Sequence, residues 1–273
     1  VAPRLVALVR ATHPLPALAV TVLVGALAAA RDVPPGTLAW IVASTAAGQA
    51  SVGWSNDYLD RERDAAAGRV EKPLVSGQAS PGLALGAALV TAPLSVALSL
   101  PVGLPEAGVM LAGVGSAWTY NLGLKATALS WVPYALSFGL VPVYVWRAAG
   151  DVPPAWLVVG GALLGVAAHL VNVLPDLEAD RAGSVRGLPH RLGSRRTLAL
   201  ACVLLASVLG LLVGLGGPPT IERAAAAGLA AGLIGGVAWA GVQRRYRLGF
   251  VLTIVAAGAI VLLVALSPDA LRP

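Results

Sequence analysis

Apolar stretches of about 17–22 residues, the length that crosses a bilayer as a helix, recur along the chain with short polar connections between them. They lie near 14–30, 37–56, 82–101, 105–122, 128–146, 153–174, 197–216, 223–241 and 248–267. Gly103, Pro105 and Gly108 interrupt the start of the fourth. The pattern predicts an all-α polytopic membrane protein, a bundle of nine transmembrane helices around a central cavity.

The basic residues fall unevenly between the connections. All but four of the 19 lysines and arginines lie on one side of the nine predicted spans, the exceptions being Arg31, Arg147, Arg223 and Arg272. The positive-inside rule then places the N-terminus in the cytoplasm and the C-terminus outside, with a bacterial cytoplasmic membrane as the expected location. Two four-span units, about 14–122 and 128–241, followed by a ninth span, fit the order as an internal repeat within one domain over 1–273.

Composition supports the membrane reading. The 273 residues are 57% hydrophobic and 12% charged, with a mean hydropathy of +0.80, against about 25% charged in soluble domains. Topology accounts for the net charge of +6, so nucleic acid is not an expected partner. The one cysteine, Cys202, excludes an intrachain disulfide and a Cys-rich metal site. No cleavable signal is expected from the short basic lead-in before Arg10.

Two polar stretches share one template, N-x-x-x-D-x-x-x-D. They are Asn56-Asp57-x-x-Asp60-x-x-x-Asp64 and Asn172-x-x-x-Asp176-x-x-x-Asp180, at matching ends of the second and sixth spans. A spacing of four stacks side chains on one helix face. Each carboxylate costs about 2.5–3.5 kcal/mol at a helix centre on insertion scales, so two such clusters in an apolar chain point to a need for them. Clustered carboxylates with no His or Cys partners suit a hard cation. Magnesium is typically held by a few carboxylates together with substrate phosphates. Asn56, Asp57, Asp60, Asp64, Asp176 and Asp180 are the candidate ligands, and Asn172 a candidate ligand or orienting residue. Arg63, Arg69 and Lys72 after the first motif, Arg181 and Arg186 after the second, and Lys125 stand where they could neutralise a phosphorylated substrate.

The remaining polar and aromatic residues divide between interface and cavity. Trp54, Tyr58, Trp118, Tyr120, Trp131 and Tyr134 fit an aromatic belt. An aromatic face also attracts cations, and Tyr120, close before Lys125, is the preferred catalytic case. His169, three residues before Asn172, is either a helix-to-helix hydrogen bond or a substrate contact. His13 reads as an interfacial anchor, and with Arg10 offers a weak polar pocket for a second substrate.

The acidic motifs, Lys72-Pro73-Leu74, Ser76-Gly77, Tyr120 with Lys125, Gly183, Gly187-Leu188-Pro189 and Leu192-Gly193 together resemble the UbiA superfamily of intramembrane prenyltransferases. The resemblance covers most of the chain. Either acidic motif alone is a weak signal; the pair at this separation is specific. One departure is Lys72, where the family often has Arg, which keeps the charge but loses the bidentate fork. The resemblance implies a nine-helix bundle open to lipid. It also implies magnesium-bridged binding of a prenyl diphosphate by both motifs, Arg69, Lys72 and Lys125 as diphosphate contacts, and transfer of the prenyl group to an aromatic or a lipid or sugar-phosphate acceptor. Cyclisation of the same diphosphate is the alternative. Transport is a third reading, disfavoured because the carboxylates lie at one membrane face and not at the midplane.

Overall fold

A computed structural model describes residues 2–177 and 186–267. Among them are eleven α-helices and no strands. The helices are α1 (Ala2–Arg10), α2 (Pro14–Ala30), α3 (Pro35–Ala66), α4 (Pro81–Ser99), α5 (Leu104–Leu122), α6 (Val132–Ala148), α7 (Ala155–Val173), α8 (Leu188–Leu192), α9 (Ser194–Leu215), α10 (Ile221–Val242) and α11 (Tyr246–Ala265). Short 3-10 turns occupy Leu124–Ala126 and Leu174–Asp176.

Local chemistry sets the boundaries. Prolines open α3, α4, α5 and α6, where a missing N–H costs nothing. Ser80 caps α4 by accepting from Leu83 N, and Thr220 caps α10 by accepting from Arg223 N, each supplying one orphan amide of the first turn. α7 tightens into its 3-10 turn at Pro175, which cannot donate an intrahelical bond.

α4, α7 extended to Asp176, α9, α10 and α11 are each long and apolar enough to cross a membrane. α1 from Arg4 and α2 pass the same measure only together, and they are bent by 64°. The expected count of nine crossings is therefore not reached on length and apolarity. Two reasons are visible: α2 and α6 have 17 residues each, and α3 carries the first acidic motif. α3 also runs well past the expected 37–56 stretch. Its 32 residues span about 48 Å at 1.5 Å per residue, against about 30 Å of bilayer hydrocarbon, so the motif stands on its polar extension.

The chain divides into two compact units, Val1–Gly25 with Pro34–Leu124, and Ala26–Val33 with Lys125–Pro273. In the first, α3 packs along α4, and α5 lies against both. A side cluster of Ala7, Ala11, Leu74, Ala79 and Ala84 is covered by Leu8, Trp54 and Tyr58. In the second, α6 packs on α7, α7 on α9, and α10 on α11. Leu170, Val171, Ala201 and Val237 form its fully buried centre. Arg31 is ion-paired with Asp151 and stacks over Trp146, so this buried cation has a carboxylate and a ring face as partners.

Candidate active site

The first acidic motif is built entirely within the first unit. Asp57, Asp60 and Asp64 lie on the last three turns of α3 and are 2%, 6% and 2% exposed. Buried carboxylates need compensating charge or hydrogen bonds, and each has them. Arg63 donates to Asp60 at 2.8 Å and Arg69 to Asp64 at 3.4 Å. Lys72 Nζ donates to Asp57 Oδ1 at 2.5 Å and stands 4.0 Å from Asp64 Oδ2. Arg69 and Lys72 arrive on the turn that follows α3, and Arg10 holds that turn through Glu71 O (3.0 Å) and Gln78 Oε1 (3.2 Å).

The surroundings split the carboxylates. Burial pushes Asp57 up, but hydrogen bonds and charge from His13 and Lys72 outweigh it and hold its carboxyl below the usual range. At Asp64 burial prevails over Lys72 and Arg69, and the carboxyl is raised.

Two participants escaped the sequence reading. His13 is not a simple interfacial anchor: its Nε2 lies 2.8 Å from Asp57 Oδ1. Asn121, on α5, accepts from the Asn56 amide at 3.1 Å and donates to Val52 O and Ser55 Oγ. The bond to Asn121 fixes which way the Asn56 amide is turned. A signal for Asn121 existed, since an amide in the last turn of an apolar helix needs partners. Nothing in the sequence pairs position 13 with position 57. That contact depends on Gly53, where a Cβ would run into the Thr12 carbonyl. Trp54 fastens the same approach by donating to Leu8 O at 2.8 Å. Tyr120 is half-buried in the last turn of α5.

The second motif lies in the second unit, where α7 continues into the 3-10 turn at Leu174–Asp176. Asn172 is on α7 and Asp176 in the 3-10 turn beyond it, both exposed. Asp180 lies outside the described residues. Tyr134 is hydrogen-bonded to Asn172, and its ring sits 4.7 Å from that of His169. His169 is buried, with Nε2 3.1 Å from Ser130 Oγ, which also accepts from Leu188 N at 3.0 Å. His169 is thus a helix-to-loop tie. Gly187 allows this approach, because a Cβ there would press on Lys125 O and Ser130 Oγ. Lys125 itself is half-buried in the 3-10 turn at Leu124–Ala126.

The donor set on α3 suits the metal that the sequence implies: Asn56, Asp57, Asp60 and Asp64 offer amide and carboxylate oxygens, as a hard cation requires. Among the described residues no group of three or more His, Cys, Asp or Glu is close enough to form a complete cage.

Residues 18–249 match the UbiA prenyltransferase family. The chain belongs to that family. As a UbiA-family protein with several long apolar helices, it is an integral membrane protein. It is 31% identical over 162 residues to the bacteriochlorophyll synthase 33 kDa chain of Cereibacter sphaeroides, an alignment covering 56% of this chain and 53% of that one. It therefore spans about half the length of that relative. It is 29% identical over 204 residues to a digeranylgeranylglyceryl phosphate synthase of Natronomonas pharaonis, covering 71% and 73%. The UbiA-family fold extends over nearly all of it. A UbiA homologue from Archaeoglobus fulgidus, solved bound to GPP and Mg2+, superposes with a TM-score of 0.70 at 16% identity, covering 93% of this chain and 99% of that one.

Proposed function

We propose that this protein transfers a prenyl group from a prenyl diphosphate to a second, lipid-soluble acceptor. The observation that carries the reading is the row of buried carboxylates on α3 with Arg63, Arg69 and Lys72 gathered on it. Such a surface can exchange internal ion pairs for a magnesium diphosphate. Family membership and an Archaeoglobus homologue solved with GPP and Mg2+ support it.

In this reading Asn56, Asp60 and Asp64, with Asp176 and Asp180, hold the cation. Magnesium, when bound, supplies positive charge where the diphosphate develops negative charge. Arg69, Lys72 and Lys125 bind the diphosphate oxygens and stabilise them as the C1–O bond breaks and the electron pair leaves with the diphosphate. Tyr120 turns its ring toward the allylic carbon as positive charge grows there. Apolar side chains hold the prenyl tail and exclude water. The acceptor nucleophile then forms its bond to C1 and yields its proton to water or a base. Nine crossings, two repeated units over 14–122 and 128–241, and both motifs on the cytoplasmic side of a bacterial membrane complete the proposal. The excess of basic residues on that side supports it.

The test is turnover of a panel of prenyl diphosphates by the purified protein, with magnesium, with and without aromatic and lipid-phosphate acceptors. Diphosphate release that requires an acceptor, together with a prenylated product, is expected. Hydrocarbon or terpene alcohol formed without any acceptor would replace transfer by cyclisation.

A further inference from the structure

Spacing alone groups Asp57 with the cation ligands, but its surroundings separate it from Asp60 and Asp64. Arg63, on the same helix, pairs with Asp60, and Arg69, just beyond it, pairs with Asp64, which also has Lys72 Nζ at 4.0 Å. Asp57 is held differently. Two donors converge on one of its oxygens, Lys72 Nζ at 2.5 Å and His13 Nε2 at 2.8 Å. Its other oxygen is buried without a hydrogen-bond partner among the described residues. Among the described residues Lys72 and His13 are the hydrogen-bond partners of this carboxylate, which is 2% exposed. A divalent cation on Asp57 would have to sit against the Lys72 ammonium, a like-charge contact with little water to screen it.

Both donors come from places that the fold fixes. His13 occupies the break between α1 and α2 with a left-handed backbone, φ 55°, uncommon for a residue with a side chain. The neighbouring Thr12 carbonyl lies against Gly53, one turn before Asp57. A single Nε2 cannot both donate to Asp57 and accept from Lys72, which is 3.3 Å away. The shorter contact assigns its proton to Asp57, and Lys72 keeps its other N–H bonds to give. Lys72 is thereby held within 4.0 Å of Asp64, beside the carboxylate row.

We propose that Asp57 is a positioning residue and not a cation ligand: with His13 it fixes the Lys72 ammonium beside the Asp60/Asp64 row, ready for the diphosphate. The inference rests on the diphosphate reading above. It adds a division of labour inside the motif, and makes the α1–α2 bend part of the diphosphate site.

The test uses the full-length protein and Mn2+ as a spectroscopically visible cation. Mn2+ affinity, with inorganic diphosphate saturating for each variant, is compared by electron paramagnetic resonance in wild type, Asp57→Asn, His13→Gln and Asp60→Asn. Affinity should stay within about twofold of wild type in the first two variants and fall about tenfold or more in Asp60→Asn, where a charged ligand is lost. In turnover, Asp57→Asn should raise KM for the prenyl diphosphate about tenfold, the worth of one charged hydrogen bond, with a smaller change in kcat. Combined with Lys72→Met it should add almost nothing. Loss of Mn2+ binding in Asp57→Asn equal to that in Asp60→Asn would overturn the assignment, as would fully additive effects with Lys72→Met. Should Asp57→Asn not fold, His13→Gln leaves the carboxylate in place and decides by the same two readouts. A wild type that turns over no prenyl diphosphate would refute the proposed activity instead, and Mn2+ binding would still decide the role of Asp57.

Discussion

Replacing Asp60 with Asn separates catalysis from folding. The change keeps the side chain's size and leaves an oxygen to accept from Arg63, now 2.8 Å away. The Arg63 side chain is 26% exposed, so water makes up part of what the pair loses. Such partly exposed pairs are worth up to about 1 kcal/mol. A loss of that size lowers the melting temperature by about 2–4 °C for a protein of this length. Turnover should respond far more strongly. The variant removes one full negative charge from a preorganised cation site, and loss of one such electrostatic group costs about 2.7–4 kcal/mol, or 10²–10³ in kcat. The assay is acceptor-dependent diphosphate release at saturating prenyl diphosphate, with thermal melting in the same detergent. Turnover within about threefold of wild type, less than 1 kcal/mol in the barrier, would refute the placing of Asp60 at the reacting diphosphate. Collapse of the melting transition would show that its role is structural.

Three further outcomes follow from the same geometry. Chelation by EDTA should stop turnover and added Mg2+ should restore it; turnover that persists in chelator would remove the metal from the mechanism. Gly53→Ala should lower the melting temperature, because the added methyl meets the Thr12 backbone and overpacking of about 1–3 kcal/mol exceeds the roughly 1 kcal/mol gained by removing a helical glycine; a raised melting temperature would show that the α1–α2 bend is not seated there. Ser130→Ala should destabilise by about 1–3 kcal/mol, since the half-buried Leu188 N–H loses its acceptor and the buried His169 its Ser130 contact; an unchanged melting curve would show that this cluster does not anchor the segment after the second motif.

Helical content and the position of most helices were legible from apolar length alone, because a chain in lipid must satisfy its backbone internally and helices do so over any sufficiently apolar stretch. The first motif was legible for a related reason. Carboxylates are costly beside a bilayer, so Asp60 and Asp64 at helical spacing stand out from their background. The extension of α3 to Ala66 was harder to read, since its last turns are polar and no apolar periodicity marks them. In the second motif Pro175 tightens the backbone after Val173 and places Asp176 in a 3-10 turn, a local change that a spacing of four does not record. His13 was misread because its partner is 44 positions away. A histidine before a proline at the start of an apolar stretch has the same local sequence whether it meets lipid headgroups or a carboxylate.

The sequence by itself determined the membrane class, the family and the residue types able to hold a cation and a diphosphate, because these depend on composition and on spacing within single helices. Tertiary structure alone decided which charges meet. Asn121 orients Asn56, and Lys72 and His13 converge on one oxygen of Asp57. Those contacts exist because separate segments approach closely enough for short side chains to touch. Approach of that kind is set by packing over distances that no local pattern records.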